Sequence, residues 1–439
     1  MKNITKISLA LLSGLLIAAS WPTTGFTPLI FIAFVPLIFL EDYKSTRQQD
    51  NKRDGIFGLS FLTFLVWNSL TTWWVWNSTP AGSIAMILLN STFMATTFWL
   101  YHITRKKIFH NKGGFFLLIL FFLAFENLHL TWQLNWPWLN IGNVFSHNHT
   151  WVQWYEITGI TGGTIWVLLA NILAYRTLKS ILEKDKLSVK RYAMLFVLTL
   201  VVPITISKIM YATYEEKGDD VEVVVVQPNV DPYEEEFTLS AAEILRRNFN
   251  LAELLTSEKT RFVVSPESSI HENIWLENIN SYYSVKNLRL FSKNNAGAAY
   301  VIGASTLGMV PEGEENDFAA RKFYDADEYY YSYNTALLVT GNDDIQLHHK
   351  SKLTPGVEMM PSWWIMRPLK KFAIDLGGTV GTLKRENKVT LLEHEDYKVA
   401  PMICYESVFG AYVADFVKKG ADLIFVITND GWWGDTPGH

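Results

Sequence analysis

The sequence predicts a polytopic α-helical membrane domain over residues 1–212, followed by an α/β domain over residues 213–439. Two observations support this fold class. Up to about residue 212, long apolar runs are separated by short basic loops, whereas beyond it short apolar stretches alternate with polar segments of helical periodicity. The change falls in the polar segment "YATYEEKGDD", which marks the predicted domain boundary.

Seven apolar segments are candidate membrane spans: residues 7–21, 27–40, 56–74, 82–101, 114–132, 160–178 and 192–211. Several of them approach the roughly 20 apolar residues that cross a bilayer. The first two are shorter and predict a helical hairpin that turns at "WPTTGF". An alternative is a cleaved signal peptide over residues 1–20, with "AAS" as the cleavage site. We favour a retained first span because the apolar pattern resumes at once.

The basic residues alternate between loops in a way that predicts orientation. The loops "WPTTGF", "VWNSTP" and "NWPWLNIGNVFSHNHTWVQWYE" contain no lysine or arginine, and by the positive-inside rule they face away from the cytoplasm. The segment before the first span and the intervening loops carry the basic residues Lys2, Lys6, Lys44, Arg47, Lys52, Arg53, Arg105, Lys106, Lys107, Lys112, Lys179, Lys184, Lys186, Lys190 and Arg191. An odd number of spans then places the second domain outside, which in the inner membrane of a bacterium means the periplasm.

Cys404 is the only cysteine of the chain and lies in "PMICYESVFG". A buried strand is predicted before it and a helix after it, as far as Gly420. Such a turn exposes a side chain at the partial positive end of the helix. The alternative is a small hydrophobic core residue, which is the common fate of a free cysteine. In an oxidising compartment, however, a single cysteine has no intramolecular partner, and this favours a reactive thiol.

Polar side chains follow several predicted strands: Glu267, Lys350, Cys404, Asn429 and Asp430. The strands are "VEVVVVQPN", "TRFVVSPES", "AAYVIGAST", "YNTALLVTG", "IQLHHKSK", "YKVAPMICYES" and "DLIFVITNDGWW". Each side chain alone has an ordinary explanation as a capping acid, a solvated lysine or a turn residue. A carboxylate, a cation and a thiol at strand ends together supply the base, the oxyanion donor and the nucleophile of acyl transfer.

Three motifs carry a resemblance to a known family. "SPES" with Glu267, "HHKSKLTPGVE" with Lys350 and Glu358, and "ICYES" with Cys404 resemble the Glu, Lys and Cys motifs of the nitrilase, or carbon-nitrogen hydrolase, superfamily. With seven preceding spans, the chain resembles its membrane branch, the bacterial apolipoprotein N-acyltransferases. "WPWLNIGN", "VVQPNV" and "NDGWWGD" resemble further stretches of that family. The resemblance implies a nitrilase-like αββα sandwich for residues 213–439.

The resemblance also implies the reaction. An acyl chain passes from a phospholipid, phosphatidylethanolamine in the family, through a cysteine thioester to the α-amine of the diacylglyceryl-cysteine that begins an apolipoprotein. No metal or other cofactor takes part. The implied roles are Glu267 as base, Lys350 as oxyanion donor and Cys404 as nucleophile; Glu358, Tyr405 and Glu406 as supporting residues; and Trp432 and Phe237 as substrate-binding residues. A thiol pKa of about 8.5 would leave Cys404 partly ionised at neutral pH.

The sequence departs from the family pattern at three points. Lys352 stands where the family has a histidine, and Phe237 is the nearest aromatic to a usual tryptophan. The sequence stops at His439, whereas the family continues to a closing transmembrane helix, so the resemblance implies a C-terminally truncated member. Exposed Trp363, Trp364, Trp432 and Trp433 would suit the lipid headgroup layer.

Two other function classes remain open from the residues. A membrane-tethered amidohydrolase would use the same three side chains with water as the acceptor, and a transporter or scaffold would carry an inactive outer domain. The presence of all three side chains speaks against an inactive domain. The net charge of -5 argues against a nucleic-acid partner.

Overall fold

The structure is a computed structural model that describes residues 1–46, 55–110, 113–235, 238–311, 317–359 and 382–438. The chain divides into two compact units, of which the main parts are Met1–Glu216 and Lys217–Gly434. Each unit is described by itself below.

The first unit is entirely helical among its described residues. Its helices are α1 (Asn3–Ser20), α2 (Ile30–Ala33), α3 (Val35–Thr46), α4 (Ile56–Thr71), α5 (Val75–Ser78), α6 (Pro80–Ile108), α7 (Phe116–Thr131), α8 (Tyr155–Leu182) and α9 (Lys186–Thr213). Within the described residues, α1, α6, α8 and α9 are long and apolar enough to cross a membrane, and α4 and α7 are shorter apolar helices. By length and composition, the four long helices are candidate membrane spans.

The second predicted span is broken in the structure. A turn at Phe34 separates α2 from α3, and Pro36, which lacks an N–H and cannot continue a regular helix, lies just after the break. The buried side chain of Asn171 in α8 repairs the backbone there. Its Oδ1 accepts from Phe34 N at 2.8 Å and its Nδ2 donates to Ile30 O at 2.7 Å. A polar side chain thus satisfies backbone groups that water cannot reach inside a bilayer.

The second unit contains ten strands and three α-helices among its described residues. They are β1 (Glu222–Val225), α10 (Ala241–Glu253), β2 (Thr260–Val264), β3 (Ile270–Trp275), α11 (Tyr283–Asn294), β4 (Ala299–Met309), β5 (Arg321–Lys322), β6 (Tyr329–Val339), β7 (Ile345–His349), β8 (Leu392–His394), β9 (Tyr397–Ile403), α12 (Gly410–Lys418) and β10 (Leu423–Ile427). All seven predicted strands are present. The sequence did not reveal β3, which carries polar residues, or β5 and β8, which are very short.

The strands form two sheets. One has the order β1-β2-β4-β6-β5, with β3 paired to β4 and β7 paired to β6, and the other has the order β10-β9-β8. In the first sheet β2 is parallel to β4, while β6 is antiparallel to both β4 and β7. In the second, β9 and β10 are parallel. The strands β2, β4 and β7 therefore point the same way and end at the same edge of the sheet.

Alternating side chains pack the two sheets into four layers. On β4, Tyr300 and Ile302 face a core shared with α10 and α11, whereas Ala299 and Val301 face the second sheet. On the far side of the second sheet, Met402 packs against α12. The order helix, sheet, sheet, helix is the predicted αββα sandwich, so the predicted fold class is confirmed.

The turn after β9 differs from the prediction. A 3-10 turn spans Cys404–Val408, and the regular helix α12 begins only at Gly410. Cys404 itself has a φ of +49°, a left-handed conformation that non-glycine residues rarely adopt. The expected α-helix N-terminus therefore does not lie at the thiol. Within the 3-10 turn, Glu406 Oε2 accepts a hydrogen bond from Ile403 N at 2.9 Å.

Candidate active site

A sharp loop after β2 carries Glu267. Gly303 N on β4 donates to Pro266 O at 3.1 Å, and Ser269 N donates to Gly303 O at 3.1 Å, so the loop lies flat against β4. A Cβ at Gly303 would stand 2.6 Å from Glu267 Cα, which is closer than real contacts allow. The absence of a side chain at Gly303 therefore lets the loop present Glu267 at the edge of the sheet.

Lys350 follows β7 and lies between two carboxylates. Its Nζ is 2.9 Å from Glu267 Oε1 and 2.9 Å from Glu358 Oε1, and the lysine side chain is 1% exposed. Burial lowers the pKa of Lys350, but the negative charges of Glu267 and Glu358 outweigh it and hold that pKa well above its ordinary value. Lys350 is a fixed cation, and one of its three N–H groups remains for a further acceptor.

Asn334 on β6 joins the same two carboxylates. Its Nδ2 donates to Glu267 Oε1 at 2.7 Å and to Glu358 Oε1 at 3.0 Å. Sequence reasoning placed Asn334 inside a strand and assigned it no role. A polar residue in the otherwise apolar part of "YNTALLVTG" was the available signal, but only the pairing of β6 with β7 shows which groups it meets.

The two carboxylates differ in the oxygen that Lys350 does not bind. Glu358 Oε2 accepts from Thr354 N at 2.8 Å, so both of its oxygens are engaged. Among the described residues, no hydrogen bond reaches Glu267 Oε2. Glu267 is therefore the carboxylate with an oxygen available to take a proton.

The thiol of Cys404 lies within electrostatic reach of this cluster. Burial raises its pKa to about 12, the negative charge of Glu267 adds to the rise, and the positive charge of Lys350 opposes it. The sequence led us to expect a partly ionised thiol, and the structure corrects this. Burial and a neighbouring carboxylate dominate, so the resting group is a neutral S–H that requires a base.

Glu406 is fully buried and all its hydrogen-bonding capacity is directed at the protein. Its Oε1 accepts from Ser351 N at 2.7 Å and from Tyr412 OH at 3.0 Å, and its Oε2 lies 2.9 Å from Ile403 N and 3.1 Å from His348 Nε2. Burial raises the pKa of Glu406, but the hydrogen bond and charge of His348, with the two backbone donors, hold it below its ordinary value. Glu406 clamps the Cys404 turn to the loop after β7.

The other predicted residues lie around this centre. Tyr405 is buried and packs edge-on against Phe409 at 5.2 Å, and burial raises its pKa well above the ordinary value. Lys352 Nζ lies 5.4 Å from the ring centroids of Phe409 and Tyr412. Among the described residues, no salt bridge joins Lys352 to either carboxylate that binds Lys350.

Trp432 lies in the 3-10 turn after β10 and meets an aromatic residue that the sequence did not reveal. Its ring packs edge-on against that of Tyr233, with the ring centroids 5.2 Å apart, and Tyr233 OH donates to Trp432 O at 3.1 Å. Tyr233 is 54% exposed, so the pair presents an accessible aromatic surface. Phe237, Trp363 and Trp364 lie outside the described residues. Within the described residues, no three His, Cys, Asp or Glu side chains are grouped to hold a metal ion.

Two family models match the chain, in order. Residues 13–173 match the model described as apolipoprotein N-acyltransferase N-terminal domain, and residues 290–439 match the carbon-nitrogen hydrolase model. The second match includes Lys350 and Cys404.

Similar proteins span almost the whole chain. Proteins named apolipoprotein N-acyltransferase from Chlorobaculum tepidum and Rickettsia typhi are 25% and 26% identical to it, and each alignment covers 98% of this chain and 80% of the relative. Among solved structures, an amidase from Nesterenkonia sp. AN1 is 15% identical, with a TM-score of 0.30 over 48% of this chain and 67% of its own. Nit3 of Saccharomyces cerevisiae is 17% identical, with a TM-score of 0.27 over 47% and 64%.

Proposed function

We propose that this chain, which belongs to the apolipoprotein N-acyltransferase family, moves an acyl chain from a membrane phospholipid, through a thioester on Cys404, to the N-terminal α-amine of diacylglyceryl-cysteine in apolipoproteins. The observation that carries the proposal is the cluster at the sheet edge. There Glu267 has a free carboxylate oxygen, Lys350 has a free N–H, and both act electrostatically on the Cys404 thiol.

In the first half-reaction, Glu267 Oε2 takes the proton of Cys404 as the sulfur attacks an ester carbonyl of the phospholipid. The negative charge that develops on the carbonyl oxygen is held by the remaining N–H of Lys350 and the backbone N–H of Tyr405. One such donor contributes about 3–4 kcal/mol to transition-state stabilisation. The lysophospholipid alcohol leaves with the proton from Glu267, and the acyl chain remains on sulfur.

In the second half-reaction, the α-amine of the apolipoprotein attacks the thioester carbonyl. Glu267, now a carboxylate again, takes a proton from the amine, and the same donors hold the oxyanion. The C–S bond breaks, and the thiolate of Cys404 recovers a proton from Glu267. The products are an amide on the lipoprotein and the starting enzyme.

Both substrates are anchored in a bilayer, which agrees with a chain that carries apolar membrane helices and a catalytic domain together. We place the protein in the bacterial inner membrane with residues after 212 in the periplasm, because the basic loops separate onto one side of the spans. An alkaline phosphatase reporter fused after residue 300 should be active. An active cytoplasmic reporter at that position would overturn the orientation.

A transfer assay tests the function against simple hydrolysis. The purified protein is incubated with phosphatidylethanolamine vesicles and a diacylglyceryl-cysteine peptide, and the products are identified by mass spectrometry. We expect N-acylated peptide and lysophospholipid in equal amounts, together with an acyl adduct on Cys404 when the peptide is omitted. Release of free fatty acid without acylated peptide would show a hydrolase, and neither product should form with Cys404→Ser.

A further inference from the structure

Thr428, the residue after β10, lies beside Cys404. The strands β9 and β10 are parallel and their last residues, Ile403 and Ile427, are register partners. The residues that follow these two strands are Cys404 and Thr428, so the two are neighbours at the same end of the sheet. This placement brings the Thr428 hydroxyl within reach of the sulfur: burial raises the pKa of the Cys404 thiol, and Thr428, as a hydrogen-bond partner, lowers it by a smaller amount.

The hydroxyl of Thr428 has a second partner. Its Oγ1 donates to Asp430 Oδ1 at 3.0 Å. A hydroxyl has only one proton to donate, so while it is directed at Asp430 the same oxygen can only accept from the S–H of Cys404. The resting arrangement is a chain in which sulfur donates to Thr428 and Thr428 donates to Asp430.

This arrangement must change when the sulfur loses its proton. A thiolate can only accept a hydrogen bond, and the oxygen of Thr428 would then present a lone pair to a negative charge. Rotation about the Cβ–Oγ1 bond of Thr428 turns the O–H from Asp430 to the sulfur. Asp430 is partly exposed, so water can replace the lost donor there.

We propose that the Thr428 hydroxyl is a rotating donor that binds Asp430 while Cys404 is a thiol and binds the sulfur whenever Cys404 is a thiolate, with Asp430 as a positioning residue. No covalent bond of Thr428 breaks: the proton of Cys404 passes to Glu267, and Thr428 keeps its own. The same hydrogen bond stabilises the thiolate that the amine displaces from the thioester. The inference rests on the proposed role of Cys404 as nucleophile.

Several charged or titratable groups face the thiol, and a test must separate Thr428 from them. They are Glu267 after β2, Lys350 after β7, Glu358 in the following loop and Tyr405 next to the thiol, while Asp430 after β10 binds Thr428 itself. Thr428→Val keeps the shape of the side chain and leaves all these groups in place. Thr428→Ser keeps the hydroxyl.

The experiment measures alkylation of Cys404 by iodoacetamide in the full-length protein, in lipid-free detergent, as a function of pH. Because Cys404 is the only cysteine, the label reports on one thiol. Loss of a hydrogen bond to a charged group raises a thiol pKa by about one to two units. A more basic thiolate is a better nucleophile and recovers about half of that loss. We therefore expect Thr428→Val to slow alkylation about 3–10-fold at mildly alkaline pH.

Two controls distinguish a lost hydroxyl from disturbed packing. Thr428→Ser should react within about twofold of the natural protein. Thr340→Val makes the same substitution at the residue that follows β6, and it should also leave the rate within about twofold. If Thr428→Val reacts as fast as these controls while its thermal midpoint is unchanged, the hydroxyl does not act on the sulfur and the proposal is wrong.

A double-mutant cycle tests the part played by Asp430. If Asp430 competes for the hydroxyl, Asp430→Asn should speed alkylation when Thr428 is present and have a much smaller effect in the Thr428→Val background. The same factor in both backgrounds would mean that Asp430 acts only through its charge, and this would remove it as a positioning residue. Since no lipid is present, these rates stand even if the transfer assay yields no acylated peptide.

Discussion

Two buried glutamates near Cys404, Glu267 and Glu406, have opposite hydrogen-bonding patterns. Both lie at the edges of the sandwich and both meet a basic side chain, Lys350 in one case and His348 in the other. Glu406 has two partners on each oxygen, whereas the hydrogen bonds that reach Glu267 from the described residues converge on Oε1. A carboxylate with every lone pair engaged holds structure together, and one with an unused oxygen can exchange a proton.

The comparison also separates Glu358 from Glu267, although the same lysine and the same asparagine bind both. Thr354 N occupies the second oxygen of Glu358. In the proposed mechanism, the position of one backbone N–H thus distinguishes the supporting carboxylate from the base. Glu267 and Glu358 are the same residue type and lie at the same distance from Lys350 Nζ. Only the free oxygen of Glu267 indicates which of the two can take a proton.

The largest effect is expected from Glu267→Gln, which keeps the shape of the side chain and removes the proposed base. Loss of a general base costs about 10²–10⁴-fold in rate. Burial still raises the pKa of the Cys404 thiol, so the variant should not recover at pH 8.5 and should gain activity only at more alkaline pH. Single-turnover thioester formation, followed by mass spectrometry across pH, checks this.

Glu358→Gln is the matched control for that prediction, since it alters the other carboxylate bound to Lys350. It should keep the pH profile of the natural protein with a smaller loss of rate. If Glu267→Gln forms the thioester fully at neutral pH, the free oxygen of Glu267 is not the base, and Glu358 becomes the next candidate.

Lys350→Met should have the second-largest effect. It removes the proposed oxyanion donor, and loss of one such donor costs about 10²–10³-fold in rate. It also leaves Glu267 and Glu358 facing each other without a cation, a buried imbalance of about 3–5 kcal/mol. We expect loss of thioester formation together with a lower thermal midpoint. The Lys350→Met, Glu267→Gln, Glu358→Gln triple variant should recover much of the midpoint without activity, which separates the two effects.

Glu406→Gln should affect stability more than the chemistry, because Glu406 clamps the Cys404 turn. Its pKa is held below the ordinary value, so its contribution to stability is present above that ordinary value and is lost as the pH falls through the lowered pKa. The unfolding free energy of the natural protein should therefore drop more steeply on acidification than that of Glu406→Gln. Denaturant titrations at several acidic pH values measure this difference.

The pH profile of thioester formation in Glu406→Gln tests the difference between Glu406 and Glu267. If the residue only positions the turn, the variant should keep the pH profile of thioester formation while its rate falls. A profile shifted in the manner of Glu267→Gln would mean that Glu406 exchanges protons, which would contradict its saturated hydrogen bonding.

The sequence predicted the main polar side chains of the site, but it did not predict their hydrogen-bond partners. Glu267, Lys350 and Cys404 were predictable because each follows an apolar strand, and strands ending at one edge bring such residues together. Asn334 and Thr428 were not, because their partners depend on strand register. The helix expected from Tyr405 begins only at Gly410. The thiol expected to be partly ionised is neutral, because burial raises its pKa and no α-helix begins at Cys404 to oppose that rise.

The smallest effect is expected from Lys352→Ala, although Lys352 is only two residues from Lys350. Its ammonium group lies over the rings of Phe409 and Tyr412, and no salt bridge joins it to Glu267 or Glu358 within the described residues. Cation–π contacts of this kind contribute about 0.5–1 kcal/mol at partly exposed sites. The variant should therefore lower the thermal midpoint slightly and keep most of the rate of thioester formation.

Lys352→Met, which retains an unbranched apolar chain over the two rings, should recover part of that midpoint because the methylene packing remains. If Lys352→Ala lost thioester formation to the same extent as Lys350→Met, our assignment of Lys350 as the oxyanion donor would be wrong. Lys352 would then have to move from its position over the two rings to reach the carbonyl oxygen.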